Sequence, residues 1–471
     1  IILAFWCIRL LIPLAPAGLL PAYAHVGVDG AALLFSLALT LLCGLACGLA
    51  PVLKSGRSDL SDALTQGVRA SSSGLRRLRR PGLQQGLVAG EVALALMLLI
   101  GAGLLFRDLR ERLAVAPGFT AEGVLAARVS LPRDRYAAPE RATFAERLVE
   151  RLEGLPGVAS ASVSINLPLR GMGQASELIP DVPGAEPIRY SRHAVSPEFF
   201  GTLGIPILAG RAFLASDRTD APMVAIVSRA AARRFWPGQS PLGHRIRLGG
   251  ATGPDVPVVG MAGPARFNDL TSDLDAATVA PDVYFALAQR TDTDLEIAVK
   301  SRTGVLPSAA QIQAQVAAID PGLPVYQVAP LTDAVRSQNA ASRFGSAVLG
   351  VFSILALVLS AIGIYGVISF VVGLSRREIA IRLALGAESS RVLGVVMANG
   401  MTLVVTGVGF GVLGARLGAR ALASQLYGVE VTDTTTFLAV TGVVTLVACL
   451  ACWLPAHRAS HAEPQSVLKG E

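Results

Sequence analysis

Much that an enzyme or a soluble protein would carry is missing from this sequence. It contains no Gly-x-x-x-x-Gly-Lys-Ser/Thr phosphate loop, so these residues cannot cradle a nucleoside triphosphate in that manner. It has no His-Glu-x-x-His and no paired-cysteine spacing, and His193 and His244 stand isolated, so no metal, cofactor or catalytic residue is assigned. Charge is scarce too. Only 16% of the 471 residues are Asp, Glu, Lys or Arg, against 52% hydrophobic, and the mean hydropathy is +0.54. Such a balance excludes an ordinary soluble protein and makes the bilayer the solvent. The five cysteines, Cys7, Cys43, Cys47, Cys449 and Cys452, all fall in apolar stretches, which leaves none for a disulfide in the long segment 107 to 342. The net charge of +7 is not set among aromatic-rich basic strands, so nucleic acid is not an expected partner.

What is present is a series of long apolar runs. Residues 31 to 53, 86 to 106, 343 to 373, 393 to 423 and 434 to 454 are each long enough to cross a hydrocarbon core of roughly 30 Å. Residues 1 to 22 read as a further span, and the start at Ile1 without Met reads as a chain whose N-terminus lies upstream. Lysine and arginine resist translocation, so the loops that hold them stay in the cytoplasm. Loop 54 to 85 holds Lys54, Arg57, Arg69, Arg76, Arg77, Arg79 and Arg80, and loop 374 to 391 holds Arg376, Arg377, Arg382 and Arg391. Tail 455 to 471 adds Arg458 and Lys469, whereas loops 24 to 30 and 424 to 433 have none. Arg107, Arg110, Arg112, Arg416 and Arg420 dissent, but six alternating spans place segment 107 to 342 outside. The expected class is therefore a multi-span α-helical membrane protein with a large extracytoplasmic domain.

The outer segment reads as α+β in two subdomains. Residues 123 to 130 and 158 to 165 are strand-like and flank a helix in which Phe144, Leu148 and Leu152 recur every four residues. A second strand-helix-strand unit spans about 294 to 330, with Leu295, Ile297 and Val299 alternating, a helix at 307 to 318 and a strand at 324 to 329. Between them lies a Gly/Pro-rich insertion, about 167 to 290, with strands expected at 223 to 228 and 256 to 261. The run 343 to 373 would make a helix of roughly 46 Å at ~1.5 Å per residue, which overshoots the bilayer and suits either tilt or a stalk.

A repeat also shows: Pro51, Lys54, Asp59 and Leu64 follow one span with the spacing of Pro455, Arg458, Glu463 and Leu468 after the last. Residues 1 to 53 then read as the last two helices of a first copy, 54 to 85 as a cytoplasmic linker, and 86 to 471 as a second copy. A full-length chain would act as a pseudo-dimer, and a single copy as a homodimer.

On a helix, residues 375 to 387 would put Ile379, Leu383 and Gly386 or Ala387 on one face, with Glu378 and Arg382 paired on another. Such a segment fits a partner's groove, or lies on membrane lipid as an interfacial helix with topogenic arginines. Tyr365-Gly366-Val367-Ile368-Ser369-Phe370, followed by Arg376-Arg377-Glu378-Ile379-Ala380-Ile381-Arg382-Leu383-Ala384-Leu385-Gly386-Ala387, resembles the signature of FtsX-like ABC permeases. Val195-Ser196-Pro197-Glu198-Phe199-Phe200, Leu203-Gly204-Ile205-Pro206, and Arg233-Arg234-Phe235-Trp236-Pro237-Gly238 with Pro241-Leu242-Gly243 resemble the macrolide-exporter-type periplasmic core of that family. The layout is similar to that of acidobacterial duplicated orphan permeases. The resemblance implies a permease that partners a separate cytoplasmic ATP-binding subunit, with Arg376, Arg377, Glu378, Ile379, Arg382, Leu383, Leu385, Gly386 and Ala387 as the coupling helix. It also implies mechanical transmission to the outer domain, acting in export with a periplasmic adaptor or in activation of a cell-wall hydrolase. Phe370 and the residues up to Leu374 are more apolar than the polar stretch that often precedes the arginines.

Gly407, Gly411, Gly414 and Gly418 offer small residues at three- and four-residue spacing for close helix packing, either within the chain or at a dimer seam. Gly44 and Gly48 do the same. Gly409, Gly411 and Gly414 also spell Gly-x-Gly-x-x-Gly, but with no strand before them a dinucleotide site does not follow. Glu91 is the one acid well within a span, near its cytoplasmic end, and reads as snorkelling or helix-paired ahead of a proton relay.

Overall fold

The computed structural model describes residues 9, 30–55, 83–171, 174–250, 252–271, 274, 279–375, 379, 381, 388–422 and 433–460. The span read at 1 to 22 (Arg9 apart), the linker from 56 to 82, the loop from 423 to 432 and the tail beyond 460 lie outside the described residues. So do most members of the repeat that follows Pro51. In chain order the elements begin with helices α1 (Gly30–Ser55) and α2 (Leu83–Ala114), then β1 (Val124–Ser130), α3 (Ala138–Glu153) and β2 (Val158–Ser164). There follow β3 (Gln174–Pro180), β4 (Ile188–Val195), α4 (Phe199–Leu203), β5 (Ile207–Gly210), β6 (Ala225–Ser228), α5 (Arg229–Phe235), β7 (Arg245–Leu248), β8 (Asp255–Ala262) and β9 (Asp282–Ala286). The chain continues through β10 (Asp294–Ser301), α6 (Ala309–Ala317), β11 (Val325–Pro330), α7 (Leu331–Gln338), α8 (Ala340–Leu374), α9 (Ser389–Leu422) and α10 (Thr434–Ser460). Contacts divide it into two compact units, Arg112–Asn339 and Ile1–Glu111 with Ala340–Glu471.

In the first of these, β11, β1, β10 and β2 lie side by side in that order, every neighbouring pair antiparallel. With α3 joining β1 to β2 and α6 joining β10 to β11, this is the split β-α-β arrangement of ferredoxin-like folds. One face of the sheet carries alternating apolar side chains that pack on the two helices, as expected for an antiparallel sheet. Leu125, Ala127, Val129, Ile297 and Val299 meet Phe144, Leu148 and Leu152 of α3 and Ile312 and Val316 of α6. Each fully buried leucine on that face contributes about 1.5–3 kcal/mol. α3 starts where the Ala137 N–H donates to the Glu140 carboxylate at 2.7 Å, and α6 where the Ser308 hydroxyl accepts from the Gln311 N–H at 3.3 Å.

The insertion between these units is richer in strands than its sequence suggests. It holds seven, β3 to β9, where the sequence points to two. Six close on themselves in the order β4, β3, β7, β8, β6, β9 and back to β4, with β5 added alongside β8. Apolar side chains from all six strands fill the ring: Leu178, Tyr190, Val227, Ile246, Val256, Val258 and Phe285 among them. α5, capped by the Ser228 hydroxyl accepting from the Ala231 N–H, brings Phe235 and Trp236 into the same core. Ring and four-stranded sheet are joined where β2 meets β4, at Ser164 with Val195 and through the Ile165 N–H donating to the Ala194 carbonyl. α4 ends at Gly204, whose φ of 65° and closeness to the Thr120 hydroxyl leave no room for a side chain: an added Cβ would sit 2.6 Å from Oγ1.

In the other unit, α2, α8, α9 and α10 are long and apolar enough to cross a membrane, over Gln85–Ala114, Ala340–Gly373, Ser389–Ala419 and Thr434–Arg458. Val92, Leu96, Ile100 and Leu104 of α2 pack with Ile364, Ile368, Val404, Ala415, Ala448 and Cys452. The opposite faces are equally apolar yet exposed, as at Phe352, Ile362, Phe410 and Leu446, which is the pattern of helices that face lipid. The described side chains of α1, including Leu34 and Phe35, are exposed as well. α2 does not stop at Phe106 where its apolar run ends. It continues to Ala114, with Arg107 beside Glu111 one turn on and paired with Asp433, at 2.7 Å, at the start of α10.

Candidate functional site: the helix cluster behind the coupling segment

Of the nine residues expected to couple to an ATPase, only Ile379 is described; Arg376, Arg377, Glu378, Arg382, Leu383, Leu385, Gly386 and Ala387 lie outside the described residues. The approach to that segment is well defined. α8 is one continuous helix of 35 residues, about 52 Å at ~1.5 Å per residue. Past its end the Ser375 N–H donates to the carbonyls of Val371 and Val372, and the Ile379 N–H donates to the Ser375 carbonyl at 2.9 Å. The Ile379 side chain is 2% exposed and belongs to the same cluster as Val372, Val396 and Cys452, whereas Ile381 is exposed. Ile379 therefore roots the segment in the helix cluster.

Three of the four spaced glycines of α9 face α2. A Cβ on Gly407 would lie 2.8 Å from the Ala89 carbonyl oxygen and 2.8 Å from Val92 Cβ. One on Gly411 would meet Leu96 Cδ2 at 2.8 Å and the Ala93 carbonyl oxygen at 3.0 Å, and one on Gly414 would strike the Met97 side chain. Gly418 faces open space, as does Gly44 of α1. Backbone-to-backbone approach of this kind replaces the hydrophobic effect as the source of helix association inside lipid.

Polar contacts tie the helix ends, and sequence reasoning found none of them, because the partners are far apart in the chain. Tyr365, in the signature stretch of α8, accepts from Arg458 of α10 at 3.0 Å. Asp433 caps α10 by accepting from the Thr436 N–H at 2.9 Å and from the Thr435 hydroxyl at 3.0 Å, besides pairing with Arg107. The Thr436 hydroxyl first, then its N–H, Thr435 and the charge of Arg107, hold the Asp433 carboxyl well below the usual carboxylate range against partial burial. Between these ends Glu91 faces α8 at Gly363, where a Cβ would come 2.4 Å from its carboxylate. Gly363 is the gap that admits the acid.

In the outer unit the motif residues serve the junction between sheet and ring and the ring's own core. Ser196 pins the end of β4 to β2, its N–H donating to the Val163 carbonyl at 2.9 Å and its hydroxyl accepting from the Val163 N–H. Trp236 Nε1 donates to Asp181 at 2.8 Å while His244 stacks on the indole at 4.9 Å and shares the same carboxylate. Burial pushes the Asp181 carboxyl up, but hydrogen bonds from the Arg245 N–H, Trp236 and His244 outweigh it and hold the group below its usual range. His193, isolated in sequence, is fully buried between Asn166 at 3.0 Å and Asp282 at 2.8 Å and stacks on Phe267. Glu296, 1% exposed, accepts from both Arg128 and Arg170, and Arg170 also donates to the Gln327 carbonyl at 2.8 Å. Leu169 and Gln327, on either side of that bond, both hold positive φ, 61° and 53°, conformations costly for residues with side chains. Among the described residues no cluster of three or more potential metal ligands occurs.

Comparison with known proteins matches two parts of the chain. Residues 86–319 match the model of the MacB-like periplasmic core domain, and residues 350–464 that of the FtsX-like permease C-terminal. The macrolide export ATP-binding/permease protein MacB of Azoarcus sp. (strain BH72) is 23% identical over 434 residues, covering 88% of this chain and 60% of the relative. The uncharacterized ABC transporter permease YknZ of Bacillus subtilis (strain 168) is 22% identical over 392 residues, covering 82% of this chain and 94% of the relative. The probable syringafactin export ATP-binding/permease protein SyfD of Pseudomonas syringae pv. tomato is 27% identical over 291 residues, 59% of this chain and 41% of that one. The chain thus spans about 60% of the length of the first MacB relatives it matches. Of solved structures, the periplasmic region of MacB from Actinobacillus actinomycetemcomitans covers 46% of this chain and 93% of its own at 12% identity, with a TM-score of 0.31.

Proposed function

The chain belongs to the FtsX-like ABC permeases that carry a MacB-like periplasmic core domain, and from that premise we propose that it couples ATP hydrolysis by a separate cytoplasmic subunit to movement of its outer domain. The permease itself is not the enzyme in this reading. It sits in the cell membrane with the unit Arg112–Asn339 outside, and residues 376 to 387 dock on the ATPase. The observation that carries the reading is the continuity of α8: a single helix from Ala340 to Leu374 whose lower end is rooted through Ser375 and Ile379 in the α2, α9 and α10 cluster. A load applied at residues 376 to 387 reaches both α8 and its neighbours, because Ile379 cannot move without disturbing that cluster. Export is the activity named for MacB and SyfD, and the same lever would serve it here.

The test is reconstitution of the full-length protein with candidate ATP-binding subunits, comparing ATP hydrolysis for wild type and for the double charge reversal Glu378→Arg with Arg382→Glu. The expected result is stimulation by the wild type that the variant loses while keeping its fold. Stimulation left intact by the reversal would remove residues 376 to 387 from the coupling contact, and no stimulation by any ATPase would sink the transporter reading.

A further inference from the structure

The mouth of the six-stranded ring carries charge that the transmission reading does not use. Direct pairing of Ser176 with Tyr190 and of Gln174 with Arg192 places these four side chains on one face of β3 and β4, the face that continues inward as Leu178 and Ile188. Arg290, just beyond β9, crosses this mouth with its guanidinium 5.2 Å from the centre of the Phe285 ring. Together with Arg189, Tyr190, Ser176, Glu177 and Gly249 it lines a cavity of about 500 Å³. The interior behind is closed by packed apolar side chains, so a ligand would enter only as far as the Tyr190 ring.

Two guanidinium nitrogens are buried without a hydrogen-bond partner, Arg290 Nη1 in the cavity lining and Arg192 Nε next to it; Arg192 lies off the lining and donates through Nη2 to Gln174. Arg290 has no carboxylate within ion-pairing distance among the described residues. Arg192 has one, Asp292 at 3.6 Å, which it shares with Arg133 and Gln174. The two cations also oppose each other: burial first, then the charge of Arg290, depress the Arg192 guanidinium. Adjacent desolvated cations with unmet donors are costly unless an anion neutralises them.

We propose that the mouth of this ring is a binding site for an oxyanion, a carboxylate or phosphate group held by Arg290 with the Tyr190 and Ser176 hydroxyls beside it and the charge of Arg192 behind them. A planar guanidinium fork suits either group, and such charge-assisted bonds are the strong ones.

The purified full chain, in detergent, is titrated calorimetrically with inorganic phosphate and separately with acetate, at constant ionic strength. Arg290→Gln is compared with Arg229→Gln, which removes the same charge from an exposed position on α5. Saturable binding of either anion that Arg290→Gln weakens about tenfold or more and Arg229→Gln leaves unchanged is the expected result. Preference for phosphate or acetate identifies the headgroup. Arg192→Gln serves as a second variant with the same expectation, and unfolding curves establish that each variant is folded. No saturable binding of either anion by wild type, or equal binding by Arg290→Gln and Arg229→Gln, overturns the proposal.

Discussion

Adding one methyl group at a time to the glycines of α9 separates a tight helix seam from a stripe of small residues that merely looks like one. At Gly407 the new Cβ would stand 2.8 Å from a backbone oxygen of α2 and 2.8 Å from Val92 Cβ, against about 3.5–4.0 Å for ordinary contact. Neither atom sits on a side-chain end that could swing aside, so the helices must part by about 1 Å. Overpacking of that kind costs about 1–3 kcal/mol. Gly411→Ala meets a carbonyl oxygen at 3.0 Å and belongs in the middle of that range. Gly414→Ala meets only the flexible Met97 thioether, which can re-orient, so the cost falls below about 1 kcal/mol. Gly418→Ala touches nothing and should lie within about 0.5 kcal/mol of wild type. The assay is reversible unfolding in mixed detergent micelles followed by helicity, with size-exclusion chromatography alongside. The expected order of loss is Gly407, Gly411, Gly414, Gly418. If Gly407→Ala costs no more than Gly418→Ala, the α2–α9 contact is not the tight one; if the losses appear as dissociation of a dimer, the seam joins two copies.

Replacing Glu296 by Ala strands the guanidinium of Arg170, itself only 10% exposed, and should lower outer-domain stability by about 3–5 kcal/mol, read as a lowered unfolding midpoint of that unit. Asp181 has a folded-state pKa below its unfolded one, so its stabilising share is complete above about pH 4 and disappears as pH falls through the folded value. Asp181→Asn should therefore destabilise at neutral pH and flatten the acid limb of a stability-pH curve, and an unchanged limb would show that the Trp236 and His244 contacts are not what holds it. Ile379→Ala removes a buried anchor and should cost about 2–5 kcal/mol locally, read as loss of ATPase stimulation with binding of the ATPase retained. Loss of binding instead would place Ile379 in the contact itself.

The α+β outer domain and the multi-span class were legible in sequence because both announce themselves locally. Twenty or more apolar residues can only cross a bilayer, and Phe144, Leu148 and Leu152 at four-residue spacing can only face one core. The ring was not legible, for an equally physical reason. β6 and β8 fall on the two strands the sequence marks, but β5 and β7 are only four residues each, too short for a pattern to mark them as strands. Their partners are also distant: β4 pairs with β9 across some ninety residues of chain, and closure of a ring leaves no periodic trace. The spaced glycines show the opposite case, since the spacing is visible in sequence but the partner helix is not; Gly407 and Gly418 look alike until α2 is placed beside one of them.

The strained junction at Arg170 bears on how motion could pass through the outer domain. Arg170 lies on the link from β2 into the ring, Glu296 at the centre of the four-stranded sheet, and Gln327 on the last strand before α7 and α8. One buried carboxylate and one carbonyl thus tie the ring's entry to the strand that leads towards the membrane helix. Two residues held at positive φ beside a single guanidinium are strained conformations that the contacts around them must hold in place. Glu296→Ala therefore separates two mechanisms: if a folded, reconstituted variant still stimulates its ATPase but no longer supports transport, the tie transmits; if transport survives, the ring moves independently of the sheet.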